Sequence, residues 1–234
     1  MLTAFVPAAL ATFVMVRIER RTLRDYYIPP DILGKKFWAG LVWGFLAVSV
    51  LVGMIASLRG YSIQGFATTG ISLLHWALMW IAAAFVIGAV EEFVFRAYQL
   101  RTLADGIGFW PAALLLSLGF GALHYFTKPY ERWEDFASTG LLGLFLCFTI
   151  RRTGSLSFAI GWHAAFDWGA MYFYSGKNAG EFAVGRLLET QWHGSDRVTG
   201  GLLGPEASCL VFPLIAALFA AFGAVYRKPS PAPN

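Results

Sequence analysis

Long apolar runs, separated by short polar breaks, dominate this chain. A helix that spans a bilayer needs about 20 largely apolar residues. Seven segments approach that pattern: 2–16, 37–58, 71–100, 108–126, 136–150, 155–174 and 205–226. The first is short enough to pass for a signal peptide. Its basic residues follow the apolar run instead of preceding it, and no small-residue cleavage site stands after it, so it reads as a retained helix. The third is long and carries charge in its second half. The pattern predicts an all-α, polytopic transmembrane helical bundle of about seven helices. Its expected organisation is N-terminal transmembrane helices over 1–69, a core over 70–175, and an outer loop, a last helix and a short disordered tail over 176–234. No internal repeat interrupts this order.

Composition agrees with the pattern. The 234 residues are 57% hydrophobic and only 14% charged, where a soluble domain is about a quarter charged. The 21 Phe and 9 Trp suit lipid-facing and interfacial positions. Cys147 and Cys209 both fall in apolar runs and read as small buried residues, with no disulfide framework or metal knuckle. The net charge of +4 reports basic loops and not nucleic-acid binding. Arg17, Arg20, Arg21, Arg24, Lys35, Lys36, Arg96, Arg101, Arg151, Arg152, Arg227 and Lys228 fall on one side of the expected membrane. Arg59, Lys128, Arg132, Lys177, Arg186 and Arg197 fall on the other. The positive-inside rule then places the N-terminus outside and the C-terminus in the cytoplasm, in what reads as a bacterial inner membrane. Residues 175–204 would face outward.

Against this apolar background a few ionisable residues stand out: Glu91, Glu92, Arg96, His124, His163 and Asp167, with His75 a weaker seventh. Such residues are costly inside a membrane and mark functional sites. Glu92 and Arg96 are four apart on one helix face, which also describes a plain structural salt bridge. Glu91 points about 100° away from Glu92 and needs another partner. His163 and Asp167 share a face in the same way. Either histidine alone would be an ordinary hydrogen-bonded core residue; three apolar helices each turning such a group inward is a different matter. Counted along straight helices, Glu91 and His124 lie about 22 and 27 Å from a turn near Gly106, and His163 about 16 Å from Arg152. One common site is permitted, with a spread of about 10 Å for tilt and side-chain length to close. Glu206, at the start of the last helix, fits a capping or dipole role, and His193 reads as a loop residue.

No serine or cysteine stands beside a base as a nucleophile. A glutamate with histidines therefore points to an activated water, with Glu91 as general base, a histidine sharing the water, and a second polar pair holding the oxyanion. The reaction class is acyl hydrolysis, most simply of a peptide bond. Glu91, His124 and His163 also match the ligand count of a catalytic zinc site, although no HExxH pairing is present.

Three stretches now fall together. "EEFVFR" fits EExxxR, "FGALH" fits FxxxH, and "HAAFD" fits Hxxx(N/D), with 28 residues from Arg96 to His124 and 39 from His124 to His163. In that order they resemble the CPBP family, the CAAX-processing and bacteriocin-processing (ABI, type II CAAX endopeptidase-like) intramembrane proteases, over roughly residues 74–173. The resemblance implies an all-helical glutamate intramembrane protease. Glu91 would be the base on water and His124 would share that water. His163 and Asp167 would form the oxyanion side, and Glu92 and Arg96 would support the site. The family has long been described as metal-dependent, which keeps the zinc alternative open beside a cofactor-free site. One departure matters: the eukaryotic prenyl-protein proteases carry Asn where this chain has Asp167. An amide donates hydrogen bonds and an ionised carboxylate cannot, so Asp167 is either protonated or orients His163.

The expected partners are the lipid bilayer and a peptide or membrane-protein substrate. Two other functions compete. One is a non-enzymatic bacteriocin-immunity or scaffold protein of the same fold, against which the complete set of competent residues argues. The other is a proton-relaying transporter, against which the lack of internal duplication argues.

Overall fold

The structure is a computed structural model; it describes residues 2–227, and the side chains from residue 5 onward. The expected disordered tail, beyond Arg227, lies outside the described residues. The helical expectation holds. In chain order the main elements are α1 (Leu2–Ile18), α2 (Lys35–Ser57), β1 (Tyr61–Phe66), α3 (Ile71–Arg96), α4 (Tyr98–Ile107), α5 (Phe109–Thr127), α6 (Trp133–Thr153) and α7 (Leu156–Asp167). A π-helical turn (Trp168–Phe173), two short strands β2 (Lys177–Asn178) and β3 (Glu181–Phe182), and β4 (Leu188–Trp192) follow. A short α8 (Asp196–Thr199), a 3-10 turn (Pro205–Ala207) and α9 (Val211–Val225) complete the chain.

Three helical stretches are long and apolar enough to cross a membrane: Lys35–Ser57, Ile71–Ile107 and Phe109–Thr127. Phe5–Ile18 and Val211–Val225 are apolar but shorter. The third expected segment is not one straight helix. It breaks at Ala97, whose φ of −85° and ψ of −106° leave the helical region, so α4 leaves the line of α3 and packs on α5.

The outward faces are apolar. On α2, Trp38, Val42, Leu46 and Val50 form an exposed stripe at a spacing of four residues. The opposite face of α2 buries Gly40, Gly44, Ala47, Val48 and Leu51. In a bilayer, water does not drive helices together, so close backbone approach through small residues takes over. Gly40 and Gly44 make a GxxxG pair. A Cβ on Gly40 would strike the Phe158 carbonyl, and one on Gly44 the Trp162 carbonyl. Across the contact, a Cβ on Gly161 would strike the Phe37 carbonyl. On the far side of α7, Gly88 of α3 leaves a Cβ only 3.1 Å from the Ala164 nitrogen. α7 is thus held between α2 and α3 at backbone distance. α9 closes the core through Phe222, fully buried and in ring contact with Trp43, Phe145, Phe158 and Tyr226.

The expected outer loop is a folded cap. β4 pairs antiparallel with β1, Tyr61 opposite Trp192 and Phe66 opposite Leu188. The backbone oxygen of Ser175 accepts from Thr190 Oγ1 at 3.1 Å and from Trp192 Nε1 at 3.3 Å. Trp80 Nε1 of α3 donates to the Val184 carbonyl at 2.9 Å. These are local polar interactions that hydropathy does not register.

Because the atoms facing Gly44 are backbone, they cannot rotate away. Gly44→Ala is expected to destabilise the fold by roughly 1–3 kcal/mol, seen as a lowered thermal midpoint in detergent. Gly53→Ala, which meets nothing within 4 Å, should leave that midpoint unchanged.

Candidate active site

Glu91 and Glu92 lie in the last turns of α3, where Gly88 brings that helix against α7. Both are buried, at 7% and 0% exposure, as is Arg96 at 1%. Arg96 Nη1 donates to Glu92 Oε1 at 2.6 Å. The same carboxylate oxygen accepts from His163 Nδ1 at 2.8 Å. Glu92 therefore compensates a buried guanidinium and orients an imidazole at once. The Arg96 guanidinium also lies over the Phe120 ring, 4.7 Å from its centroid. A Cβ on Gly143 would come within 2.8 Å of Arg96 Nη2, so glycine there leaves room for the guanidinium.

His124 is fixed from α5. Its Nδ1 is 2.9 Å from the Phe120 carbonyl. A carbonyl can only accept, so Nδ1 carries the hydrogen and the Nε2 lone pair of the neutral ring faces the other way. That lone pair looks at Glu91 Oε2 across 3.9 Å. His163 Nε2 lies 3.8 Å from the same Glu91 oxygen and 3.5 Å from Asp167 Oδ2. The six residues singled out by sequence are thus joined in one cluster. His75 does not join them; it is exposed and packs edge-on against Trp76.

The gaps around Glu91 have a definite size. Two acceptors 3.9 Å apart are bridged by one water at about 2.8 Å from each. Tetrahedral zinc, with bonds of about 2.0–2.1 Å, holds its ligand atoms about 3.3 Å apart, and spanning 3.8–3.9 Å would open the angle to roughly 140°. Among the described residues no group of three or more His, Cys, Asp or Glu side chains is set to hold a metal ion. In this geometry Glu91, His124 and His163 do not fit as zinc ligands.

The cluster opens into a cavity of about 350 Å³. Its apolar wall includes Phe120, Leu142, Leu146, Trp162 and Phe166, and two further charged residues line it, Lys128 and Glu206. Sequence reading missed Lys128, counting it only for orientation, although it stands four residues after His124. Glu206, read as a helix-terminus effect, is a cavity residue, and no local pattern announces it because the 175–204 cap delivers it. Burial pushes the Glu206 carboxyl up to about 7, against the pull of Lys128. His193 lies outside the cavity, its Nε2 3.3 Å from Ser62 Oγ. Cys147 is buried as expected, whereas Cys209 is exposed, because its position just ahead of α9 turns it out of the core.

Fold and geometry together define a helical integral membrane protein with a buried glutamate–histidine centre. Residues 73–169 match the family model described as type II CAAX prenyl endopeptidase, Rce1-like. The matched stretch encloses all six clustered residues, and over that stretch the chain is similar to a family of endopeptidases. No curated protein and no solved structure matches the chain.

Removing Glu92 would leave Arg96 buried without a counter-charge. Glu92→Leu is expected to cost roughly 3–5 kcal/mol, read by thermal unfolding in detergent. Glu92→Leu with Arg96→Met should recover most of that loss but not function, because His163 Nδ1 stays without its acceptor. Glu206 gives a pH signature. Its folded pKa of about 7 lies above the ordinary 4.5, so the folded state keeps a proton that the unfolded state releases between those values. Stability should fall as pH rises through that window, and Glu206→Gln should flatten the slope.

Proposed function

We propose that this chain is an intramembrane endopeptidase that hydrolyses peptide bonds with a water activated by Glu91 and His124, without a metal. The observation that carries the reading is the pair of gaps around Glu91 Oε2, 3.9 Å to His124 Nε2 and 3.8 Å to His163 Nε2. A water in the first gap donates one hydrogen to the carboxylate and the other to the imidazole lone pair. Its own lone pairs are then left to face a carbonyl carbon in the cavity.

In the reaction, the water oxygen bonds to the scissile carbonyl carbon as Glu91 takes a proton. The carbonyl π electrons move to oxygen. His163, protonated on both ring nitrogens with its Nδ1–H held by Glu92, offers its Nε2–H to that oxyanion. When the C–N bond breaks, its electron pair goes to nitrogen, and Glu91 returns the proton to the departing amine. Asp167, 3.5 Å from His163 Nε2, acts through His163, steadying the ring and any proton it carries. This role suits a carboxylate at a position where the family's eukaryotic members have an amide. Arg96 holds Glu92 in place.

The distribution of Lys and Arg supports a C-terminus in the cytoplasm of a bacterial inner membrane. In that orientation Lys128 and the 175–204 cap belong to the outer side.

The test is cleavage of a peptide library by the purified protein in detergent. Wild type is expected to cut in the presence of a chelator. Glu91→Gln, still folded, should lose at least about a hundredfold in rate, the lower end of general-base contributions. Cleavage abolished by chelator and restored by zinc would overturn the metal-free mechanism while keeping the protease. A folded Glu91→Gln that cuts as wild type does would remove Glu91 from the chemistry.

A further inference from the structure

Two cavities away from the glutamate–histidine centre share a wall at the start of α2. The first, of about 230 Å³, is polar and is lined by Arg24, Asp31, Lys36 and Ser155, among others. The second, of about 550 Å³, is an apolar groove between α2, α3 and α7. Leu33 and Phe37, which line the groove, alternate along the chain with Asp31 and Lys36, which line the polar pocket. One short segment therefore borders both.

The polar pocket holds positive charge that its neighbours do not cancel. Lys36 Nζ gives one hydrogen to the Thr153 carbonyl at 2.7 Å, which leaves two N–H donors. Arg24 is exposed. Among the described residues neither has an ion-pair partner. The other acids of this face are already engaged: Glu19 with Tyr26 and Arg21, Asp105 with Arg21 and Arg101, and Asp25 with the Thr22 backbone. Asp31 shares the lining, but it stands over Gly34, the residue ahead of α2, where a Cβ would lie 2.6 Å from its Oδ2. A carboxylate in that place answers the helix dipole.

The groove has the dimensions of one leaflet. Its walls include Phe37, Phe45 and Phe85, and Ala164 and Ala165 of α7 are the small residues that leave it open. From Phe37 to Phe45, α2 rises about 12 Å, close to half of the roughly 30 Å hydrocarbon core. The apolar span that α2 provides begins at Lys35. Lys36 is thus at the membrane boundary, where a lysine lays its stem on apolar surface and carries its charge outward. The groove descends from that boundary into the bilayer.

We propose that the two cavities form a binding site for one anionic phospholipid, with its phosphate on Arg24 and Lys36 and one acyl chain in the groove between α2, α3 and α7. A basic pocket between spanning helices is the setting in which anionic headgroups bind. A zwitterionic lipid brings its own cation against Arg24 and Lys36 and is disfavoured there. The site stands apart from the peptidase reading and holds whichever way the chain is oriented in the membrane.

The test mixes the full-length protein in detergent with equal amounts of phosphatidylglycerol and phosphatidylcholine of identical acyl chains, and identifies the retained lipid by mass spectrometry of the intact complex. Phosphatidylglycerol should be retained at least about tenfold over phosphatidylcholine, as two cations at a membrane surface imply. Arg24→Gln with Lys36→Gln should bring the two lipids level, glutamine keeping a hydrogen for the Thr153 carbonyl. Arg151→Gln with Arg152→Gln is the control, since those guanidinium groups lie over Phe109 and Phe148; the preference should survive it. Glycerol phosphate, which has no acyl chain, should not displace the lipid at equal concentration. Equal retention of the two lipids by wild type, including none of either, would overturn the inference. So would a preference that survives the Arg24 and Lys36 changes at an unchanged thermal midpoint. A preference lost equally in the Arg151 and Arg152 control would reduce the effect to general surface charge, and displacement by glycerol phosphate would remove the groove from the site; either result overturns the inference.

Discussion

A single carboxylate oxygen, Glu92 Oε1, holds the centre of this molecule together. It accepts from Arg96 on its own helix and from His163 on α7. A buried guanidinium must be compensated, so Arg96 commits Glu92 to one rotamer. Glu92 in turn keeps a hydrogen on His163 Nδ1 and holds the ring in one plane. Neighbouring Glu91, about 100° around the helix, is left without a strong partner and faces the cavity. Two adjacent glutamates therefore divide the labour: one is held in the structural network and the other is left free to face the cavity.

This division works only if α3 and α7 are pinned relative to each other, and the glycine contacts do that. Gly88 sets the α3–α7 distance, while Gly40, Gly44 and Gly161 set the α2–α7 distance. Aliphatic side chains at those contacts would hold the backbones apart and leave His163 Nδ1 short of Glu92. His124 is set independently, by a hydrogen bond to Phe120 within α5. The gap between His124 and Glu91 is therefore governed by how α5 seats against α3 and α6, where Gly121 and Gly140 again permit close approach.

Much of this could be read from the chain. Runs of apolar residues gave the helices because hydropathy at a bilayer's length scale is a strong, local signal. The clustered residues were legible because charge inside such runs is rare and costly, and the i, i+4 spacings of Glu92–Arg96 and His163–Asp167 fixed shared faces. The break at Ala97 was not legible; neither Ala97 nor its neighbours is a helix breaker, and tertiary packing decides the bend. The cap was misread as a loop because its strands are short and joined across the whole core. Glu206 was undervalued for the same reason, since its place in the cavity depends on how residues 175–204 fold. Lys128 was a missed inference: its spacing from His124 was on view.

The pairing of β1 with β4 also has a temporal meaning. The strand at 61–66 leaves the ribosome early, before any of the clustered residues, and its partner at 188–192 follows after all of them. The cap and the turn bearing Glu206 can take shape only when almost the whole chain has been made. Until then the clustered carboxylates and histidines lie in a cavity without its final wall. A centre built in this order is complete only late, once synthesis is nearly finished, and the growing chain does not carry the closed cavity until then.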